Sequence, residues 1–297
     1  MFYSGAERLR TTLDSLRPQV DELTVVDVGP TGEVSRWSPP GVVVIDGSAN
    51  RGYGWACNLG IAAARGDFVL ISNPDVVYEA DSVDAMVDVA AREALVAPRQ
   101  TSRRDSRSAT DAFECLQLGI SPSASTIRWL NVGRRRFDRR RTAVLRRPDT
   151  MLTVPLDMTL SGASLMASRA TWERVGGFDE RFFLYQEDAD LSLRTRSAGV
   201  DLVVANEARV FHETGSSRAG LDLTILSWAM ASERIAWRSR GLPTGLLTAI
   251  QVLGLTARAL RELCSGNMRA AMVWWRCACR PLAPAPTAGD GEQERSA

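Results

Sequence analysis

The densest group of side chains that could do chemistry lies in residues 176–194, GGFDERFFLYQEDADLSLR. Five acidic residues occur there: Asp179, Glu180, Glu187, Asp188 and Asp190. The aromatic run Phe-Phe-Leu-Tyr at residues 182–185 stands among them. Carboxyl groups held against apolar side chains have shifted pKa values, and such groups transfer protons or bind metals. The segment therefore predicts part of an active site.

Each part of this segment also has a structural explanation. Glu187 and Asp188 stand at the start of a predicted helix, where the helix dipole favours acids whatever else they do. Asp190 and Arg194 have the i,i+4 spacing of an ion pair. The pair of glycines at residues 176–177 is typical of a helix C-cap. The order in which these features occur together favours a functional interpretation.

Two further candidates lie outside that segment. The turn Asn73-Pro74-Asp75 follows an apolar strand, so its acid is placed to meet a metal or a diphosphate, but Asn-Pro also favours a turn that has no function. His212 is the single histidine of the chain. A lone histidine is more often packed or at the surface than a ligand. One imidazole with oxygen ligands would suit Mg²⁺ or Mn²⁺.

The segment 50–60, Asn-Arg-Gly-Tyr-Gly-Trp-Ala-Cys-Asn-Leu-Gly, begins as a glycine-bearing loop and continues as a helix. Its glycines would let the backbone approach a ligand, and a helix N-terminus favours anions. The spacing is not the GxGxxG dinucleotide pattern, so this loop alone is a weak signal.

Composition excludes several classes of protein. The chain has 297 residues and a formal net charge of +1, so we expect no nucleic-acid partner. All 36 basic residues are Arg, which excludes a Schiff-base lysine and a P-loop. Five scattered cysteines predict no disulfide framework. The N-terminus has no signal-peptide pattern, so we expect a cytoplasmic protein.

Apolar periodicity predicts the elements that position these residues. In the first half, helices are predicted over residues 6–16, 53–65 and 80–92, and strands over 23–27, 42–46, 68–72 and 95–97, the last stopped by Pro98. Short apolar strands alternating with helices predict an α/β fold with a mainly parallel sheet, whose ligands bind beyond the carboxyl ends of the strands. Asp27, Asp46 and the Asn-Pro-Asp turn stand at such ends.

The pattern breaks down between residues 99 and 149, where 13 Arg face five acids. Either this is a solvated, mobile insertion, or it is a basic surface for an anionic acceptor, a diphosphate lipid or an anionic membrane. Periodicity returns after residue 151, with strands over 161–168 and 201–205 and helices over 171–175 and 188–197.

Residues 221–280 read as helical. The apolar stretch 246–255 is too short to span a bilayer. Together with Trp274, Trp275 and the nearby arginines it could lie on a membrane surface, or it could pack on the rest of the protein. The predicted organisation is a domain over residues 1–220 with a basic insertion at about 99–150, a helical appendage over 221–280 and a disordered tail over 281–297.

The order of these pieces resembles glycosyltransferase family 2, the inverting enzymes of the GT-A fold, over about residues 1–240. The matching pieces are Tyr3-Ser4-Gly5, Val25-Val26-Asp27, residues 50–60, Asn73-Pro74-Asp75, Ser161-Gly162-Ala163, residues 176–180, residues 185–191 and His212. The Asn-Pro-Asp form looks like the rhamnosyltransferase branch, which makes bacterial cell-wall and surface polysaccharides.

The resemblance implies a role for each matching residue. Several residues are implied to bind substrates. They are Tyr3 and Asp27 for a pyrimidine nucleotide, Asn50, Gly52 and Asn58 for the donor pocket, Asp179 and Glu187 for the acceptor side, and Ser161 and Gly162 without a more specific assignment. Asp75 and His212 would bind Mg²⁺ or Mn²⁺, and Asp188 would be the general base.

The implied reaction is one direct displacement on a dTDP- or UDP-sugar, with dTDP-rhamnose favoured, by a hydroxyl of a glycan or lipid-linked acceptor. A divalent cation would neutralise the diphosphate leaving group, and a carboxylate would take the proton of the hydroxyl. No enzyme nucleophile is needed, which agrees with the lack of a Ser-His or Cys-His constellation in the sequence. We expect a cytoplasmic enzyme, with peripheral contact to the inner face of the plasma membrane as an open alternative.

The sequence departs from the family in two places. Members begin with an apolar strand, whereas this sequence begins at Met1-Phe2-Tyr3, so we expect a native start about ten residues earlier. Val28 and Pro30 replace the usual Asn and Ser, which puts base recognition in doubt. A degenerate member acting as a binding or scaffold protein, and a nucleotidyltransferase of related fold, are the competing interpretations.

Overall fold

The computed structural model describes residues 5–29, 34, 40–47, 49–101, 115–212 and 223–279. The strands of this part are β1 Leu23–Asp27, β2 Val42–Asp46, β3 Phe68–Ser72, β4 Val76–Tyr78, β5 Ala94–Thr101, β6 Leu116–Leu118, β7 Met151–Thr153, β8 Met158–Leu160, β9 Ser164–Ser168 and β10 Asp201–His212. The α-helices are α1 Gly5–Leu16, α2 Tyr53–Ala63, α3 Ser82–Ala90, α4 Pro122–Leu130, α5 Arg134–Leu145, α6 Arg169–Val175, α7 Glu187–Ser197, α8 Leu223–Ser239, α9 Thr244–Cys264 and α10 Met268–Cys279.

The first helix buries the face that its leucine spacing predicts. Leu9, Leu13 and Leu16 are all buried. The first two pack with Val25 of β1, so α1 covers the strand that follows it. Strands β1, β2 and β3 have the predicted bounds, because each is an apolar run that ends in a polar residue.

The central sheet of the described residues is mixed, so the prediction of a mainly parallel sheet is wrong in this respect. Its order is β3-β9-β5-β10-β4, with β7 also paired to β10. Only β5 and β10 pair in parallel within it, while β9 runs antiparallel between β3 and β5. Short apolar runs do not encode strand direction. The alternation of predicted strands and helices therefore did not reveal that β9 runs antiparallel to its neighbours. The parallel pair β1–β2 forms a separate two-stranded sheet in the described part.

Strand β5 continues through Pro98, where the sequence predicts a stop. Pro98 lies opposite Ala205 of β10, and the register of the two strands shifts between Ala205 and Arg209. A bulge at this point tolerates the missing N–H of proline. Strand β5 therefore extends past its predicted end and carries Gln100 to the site, and β10 continues to His212.

The described part of the basic region forms regular elements that pack their apolar side chains against the rest of the fold. Residues 115–150 include β6, α4 and α5, and β6 pairs with β8. Cys115, Leu116, Phe137 and Leu145 belong to the main hydrophobic core. Residues 115–150 therefore contribute apolar side chains to the main core, while most of their arginines are exposed. Residues 102–114 are outside the described part.

The helical prediction for the C-terminal region is confirmed over the described residues 223–279. Helices α8, α9 and α10 share a core with Trp129 of α4. Gly254 of α9 lies so close to α4 that an added Cβ would be 2.5 Å from the Trp129 carbonyl oxygen. No described helix has both the length and the apolar character to cross a membrane. The predicted tail over 281–297 falls outside the described residues.

Candidate active site

Two side chains that are 137 positions apart in the sequence meet where β4 pairs with β10. In this antiparallel pair, His212 lies opposite Val76, next to Asp75. The His212 Nε2 atom is 3.1 Å from Asp75 Oδ1, and both side chains are mostly buried. The structure therefore brings together the two residues predicted to bind a metal.

Gln100 is a third member of this group, and the sequence did not reveal it. Its Nε2 atom lies 2.5 Å from His212 Nδ1, and the side chain is buried in β5. The donor in this hydrogen bond depends on the tautomer of His212. To bind a metal through Nε2, the ring would carry its proton on Nδ1 and donate it to the side-chain amide of Gln100. Gln100 is a polar residue two positions after Pro98. Because the strand was predicted to stop at Pro98, Gln100 was not considered as part of β5.

The pair fits a metal that the substrate helps to bind. The described residues contain no group of three or more His, Cys, Asp or Glu that could hold a metal by themselves. Asp75 and His212 offer one oxygen and one nitrogen donor. A cation of the Mg²⁺ type commonly takes one or two protein ligands and completes its shell with phosphate oxygens and water. This donor set therefore suits a cation on a diphosphate.

Asp188 is a half-buried carboxylate held by two backbone amides. Its Oδ2 accepts a hydrogen bond from Gly162 N at 3.0 Å, and its Oδ1 accepts one from Ala189 N at 2.8 Å. Burial raises the pKa of Asp188 above its ordinary value, although these amides and the nearby Arg128 oppose the rise. A raised pKa makes this carboxylate a better proton acceptor.

Glu187 is buried beside Asp188 but lacks its hydrogen bonds. Its Oε2 has no hydrogen-bond partner among the described residues. Burial, and then the charge of Asp188, raise the pKa of Glu187 well above its ordinary value. The turn before it explains the burial: Tyr185 and Gln186 both have φ of 68°, and the chain enters α7 without a side-chain cap. Of the two neighbours, Glu187 is the one whose charged form receives less stabilisation from hydrogen bonds.

The loop Ser161–Ala163 connects the carboxylate to the Asp75 turn. Gly162 N donates to Asp188, and Asn73 N donates to Ala163 O at 2.8 Å. On the other side, the buried Tyr53 hydroxyl donates to Gly162 O at 2.6 Å. An added Cβ on Gly162 would lie 3.1 Å from Asp188 Cβ, so the close approach needs glycine. Ser161, the first residue of this loop, is buried.

The aromatic run anchors the acidic segment in the fold. Phe182 is fully buried, and the Phe183 ring lies 4.6 Å from the Trp228 ring of α8. The Phe183 carbonyl also accepts from Tyr53 N at 2.9 Å. Gly52 has φ of 111°, and an added Cβ would lie in contact with that same carbonyl. The glycine loop and the aromatic run therefore cross at van der Waals distance.

Asn50 and Asn58 have different environments in this loop-to-helix segment. Asn50 has φ of 31°, and its Oδ1 is buried without a hydrogen-bond partner in the described part of the chain. Asn58 bridges α2 to the turn after α6: its Oδ1 accepts from Phe178 N at 2.8 Å and its Nδ2 donates to Phe178 O at 3.0 Å. The orphaned oxygen of Asn50 is open to a ligand, whereas Asn58 positions the turn.

The remaining acids of the segment are paired. Asp190 binds Arg194 at 2.7 Å, so the predicted i,i+4 pair is confirmed. The predicted C-cap is confirmed as well, because Gly176 ends α6 with φ of 78°. Asp179 is chelated by Arg181. Burial works to raise the pKa of Asp179, but the hydrogen bonds and charge of Arg181 outweigh it and lower the pKa.

Asp27 organises the loop that follows β1. It is buried, and its two oxygens accept from Gly29 N at 3.0 Å and Val34 N at 3.1 Å. Tyr3, the other residue predicted to bind the nucleotide, lies outside the described residues.

Comparison with solved structures identifies the class of fold. The chain matches GalNAc-T7, solved with UDP, GalNAc and Mn²⁺, with a TM-score of 0.54 at 14% identity, over 83% of this chain and 51% of that one. It matches the mannosyltransferase PcManGT from Pyrobaculum calidifontis, solved with GDP-Man and Mn²⁺, with a TM-score of 0.53 at 15% identity, over 95% and 86% of the two chains. The fold is that of the GT-A glycosyltransferases.

Comparison of the sequence finds similar proteins among glycosyltransferases. Residues 1–143 match the model of glycosyl transferase family 2. A curated relative from Mycobacterium tuberculosis (strain CDC 1551 / Oshkosh) is N-acetylglucosaminyl-diphospho-decaprenol L-rhamnosyltransferase, 30% identical over 207 residues. The match covers 64% of this chain and 64% of the relative. The low-salt glycan biosynthesis hexosyltransferase Agl10 of Haloferax volcanii is 23% identical over 190 residues, 62% of this chain and 56% of that protein.

Proposed function

We propose that this protein is an inverting glycosyltransferase that moves a sugar from a nucleotide diphosphate sugar to a hydroxyl of a lipid-linked glycan acceptor. The observation that carries the proposal is the Ser161–Ala163 loop, which hydrogen-bonds to Asp188 through Gly162 and to the Asp75 turn through Ala163. A half-buried base and an oxygen–nitrogen donor pair are thereby held by one short segment at the strand ends.

Asp188 is proposed as the general base. Gly162 N–H and Ala189 N–H orient the carboxylate, and its raised pKa favours proton transfer from an acceptor hydroxyl. A single displacement with this base inverts the anomeric carbon and needs no covalent enzyme intermediate.

Asp75 and His212 are proposed to hold a divalent cation, Mg²⁺ or Mn²⁺. Such an ion, when bound, neutralises the charge that develops on the departing diphosphate. Gln100 fixes the His212 ring through Nδ1 and so keeps Nε2 directed toward Asp75.

The substrates are proposed from the relatives and the site together. The name of the mycobacterial relative specifies rhamnose transfer to a lipid diphosphate. We assign this chain a dTDP- or UDP-sugar donor, with dTDP-rhamnose first, and a role in cell-wall or surface polysaccharide synthesis at the cytoplasmic face of the membrane. Asn50 and Gly52 would line the donor pocket, Asp27 and Tyr3 would hold the nucleotide, and Glu187 would lie on the acceptor side.

Calorimetry tests the donor and the cation together. We expect dTDP or UDP to bind more tightly with Mn²⁺ than without it, and Asp75→Asn to remove the Mn²⁺-dependent gain. Asp84→Asn, on the exposed face of α3, is the matched control and should bind like the parent. A failure of both nucleotides to bind, with and without Mn²⁺, would overturn the assignment.

A transfer assay with mass readout separates the proposal from its competitors. Transfer of an intact sugar with nucleoside diphosphate as the second product supports it. Release of pyrophosphate would instead indicate nucleotidyl transfer, and binding without turnover would indicate a scaffold role.

A further inference from the structure

An apolar face on the last two described helices has no counterpart elsewhere in the described residues. These residues include twelve large hydrophobic side chains that are exposed, and seven of them lie on α9 and α10: Leu246, Leu253, Leu260, Leu263, Met268, Met272 and Trp275. We call these seven side chains the α9–α10 face. Single exposed hydrophobics are common, but such a concentration marks an interaction site.

The leucines of α9 follow one line along the helix. Leu246, Leu253 and Leu260 are seven residues apart, and Ala249 and Ala257 between them are exposed as well. At 1.5 Å per residue this apolar line is about 21 Å long. No charged side chain interrupts it, so a stripe of water-exposed hydrocarbon runs along the helix.

Among the described residues, the stripe is distinct from the buried side of α9. The opposite side of α9 is already packed, with Leu247, Ile250 and Leu255 buried in the core shared with Trp129 and Trp237. Helix α9 is therefore apolar on two sides, one of which faces protein and one solvent.

The charges beside this face are almost all positive. Between Leu242 and Cys279 the sequence has four Arg and a single acid, Glu262. Arg261, Arg269 and Arg276 are exposed. Glu262 accepts a hydrogen bond from Asn267 Nδ2 at 3.0 Å. A surface with Leu, Met and Trp beside Arg, and with little negative charge, complements an anionic lipid bilayer.

We propose that the α9–α10 face docks the protein on the surface of an anionic membrane. The Leu and Met side chains enter the boundary between headgroups and acyl chains, Trp275 lies at the interface, and the three exposed arginines contact lipid phosphates. The inference rests on this surface alone. If the proposed function also holds, docking would place the catalytic domain beside a lipid-linked acceptor.

Co-sedimentation with vesicles tests the proposal without donor or acceptor. The full chain should bind vesicles of equal parts phosphatidylglycerol and phosphatidylcholine, and bind phosphatidylcholine alone far less. Leu253→Glu combined with Leu260→Glu should reduce the partition coefficient about tenfold or more, because both side chains lose apolar contact and gain repulsion. Leu156→Glu is the matched control, since Leu156 is 84% exposed and lies outside this face.

Replacing arginines distinguishes the electrostatic contribution to vesicle binding from the apolar contribution. Arg269→Gln combined with Arg276→Gln should weaken binding to the anionic vesicles only, and added salt should have the same effect. All the altered residues are exposed, so thermal unfolding should stay close to that of the parent.

Two results would overturn the proposal. One is a full chain that does not bind phosphatidylglycerol vesicles, or whose binding the leucine variant leaves unchanged. The other is light scattering that shows a dimer dissociated by the same variant, because the face would then join two copies of the chain. Loss of vesicle binding with intact transfer to a soluble acceptor would leave the proposed function standing, and the reverse result would refute only that function.

Discussion

Glu187 and Asp188 are adjacent carboxyls that the fold treats differently. Asp188 receives two backbone N–H bonds that stabilise its charge, whereas Glu187 Oε2 has no partner in the described chain. When one of two close carboxyls ionises, the other is held neutral. The hydrogen bonds therefore favour the charged form of Asp188 over that of Glu187, as the proposed base role of Asp188 requires.

Isosteric amides separate these two roles. Asp188→Asn should lower kcat by about 10²–10⁴, because the proton acceptor is lost. Glu187→Gln should change kcat much less, since a neutral carboxyl is replaced by a neutral amide of the same shape. Transfer rates at saturating donor provide the measurement. If the Asp188→Asn variant were active and the Glu187→Gln variant inactive, Glu187 rather than Asp188 would be assigned as the base.

The pH dependence of activity and of stability should run in opposite directions. Because burial raises the pKa of Asp188, the acid limb of kcat/KM should lie above the ordinary value of 3.8, and activity should rise with pH through that limb. A carboxyl whose pKa is raised on folding contributes stability that is complete below the unfolded-state pKa and is lost as pH rises through the folded-state pKa. The pair should therefore destabilise the fold above its raised pKa values.

Urea unfolding across pH checks the second half of this prediction. Glu187→Gln should gain stability relative to the parent as pH rises from about 4 toward 8, because it removes a group that the folded state does not allow to ionise readily. A variant whose stability difference is the same at every pH would contradict the assignment of a raised pKa to Glu187.

Elements position the site by where they begin and end rather than by their faces. Helix α2 begins at the crossing of Gly52 with Phe183, and α7 begins after two residues with positive φ. Apolar runs made the bounds of β1, β2 and β3 predictable. The continuation of β5 was not predictable, since Pro98 is tolerated only because its partner strand shifts register opposite it.

Some residues of the site could be predicted from the sequence and others could not. Asp75, His212 and Asp188 stood out by type and by resemblance. Gln100 did not, since an amide in a strand becomes meaningful only when pairing with β10 brings it to a histidine. Direction, register and bulges are properties of pairs of strands, so a single strand sequence does not contain them.

The crossing at Gly52 should be intolerant of a side chain. Gly52→Ala adds a Cβ that would meet the Phe183 carbonyl at a φ of 111°, so unfolding free energy should fall by more than the 1–3 kcal/mol of strained φ alone. Gly241→Ala is the control, because it also has positive φ but has open space around the added Cβ. Urea titration compares the two, and equal losses would mean that the crossing does not constrain the loop.

At the scale of the whole molecule, α4 joins the helices after residue 223 to the rest of the protein. Glu233 of α8 is buried and accepts hydrogen bonds from Ser125, Arg128 and Trp129 of α4. Gln251 of α9 donates to it as well, at 3.2 Å. A basic region and a helical appendage that looked separate in the sequence thus share one buried polar centre.

Breaking this centre should affect the whole fold. Glu233→Gln leaves Arg128 without its ionic partner and places an amide among donors, so unfolding free energy should fall by about 3–5 kcal/mol. Glu262→Gln, near the C-terminal end of α9, should change it by less than about 0.5 kcal/mol. Urea denaturation followed by circular dichroism gives both values. Two separate transitions in the Glu233 variant would show that the C-terminal helices unfold as an independent unit.

The contact between His212 and Asp75 also gives the protein a built-in spectroscopic reporter. The chain has one histidine, so uniformly ¹⁵N-labelled protein has a single pair of imidazole nitrogen signals, and these need no assignment by mutagenesis. Both ring nitrogens face a named neighbour, Asp75 on one side and Gln100 on the other. Their chemical shifts would therefore record the tautomer directly, and broadening by a paramagnetic ion would locate that ion at this ring.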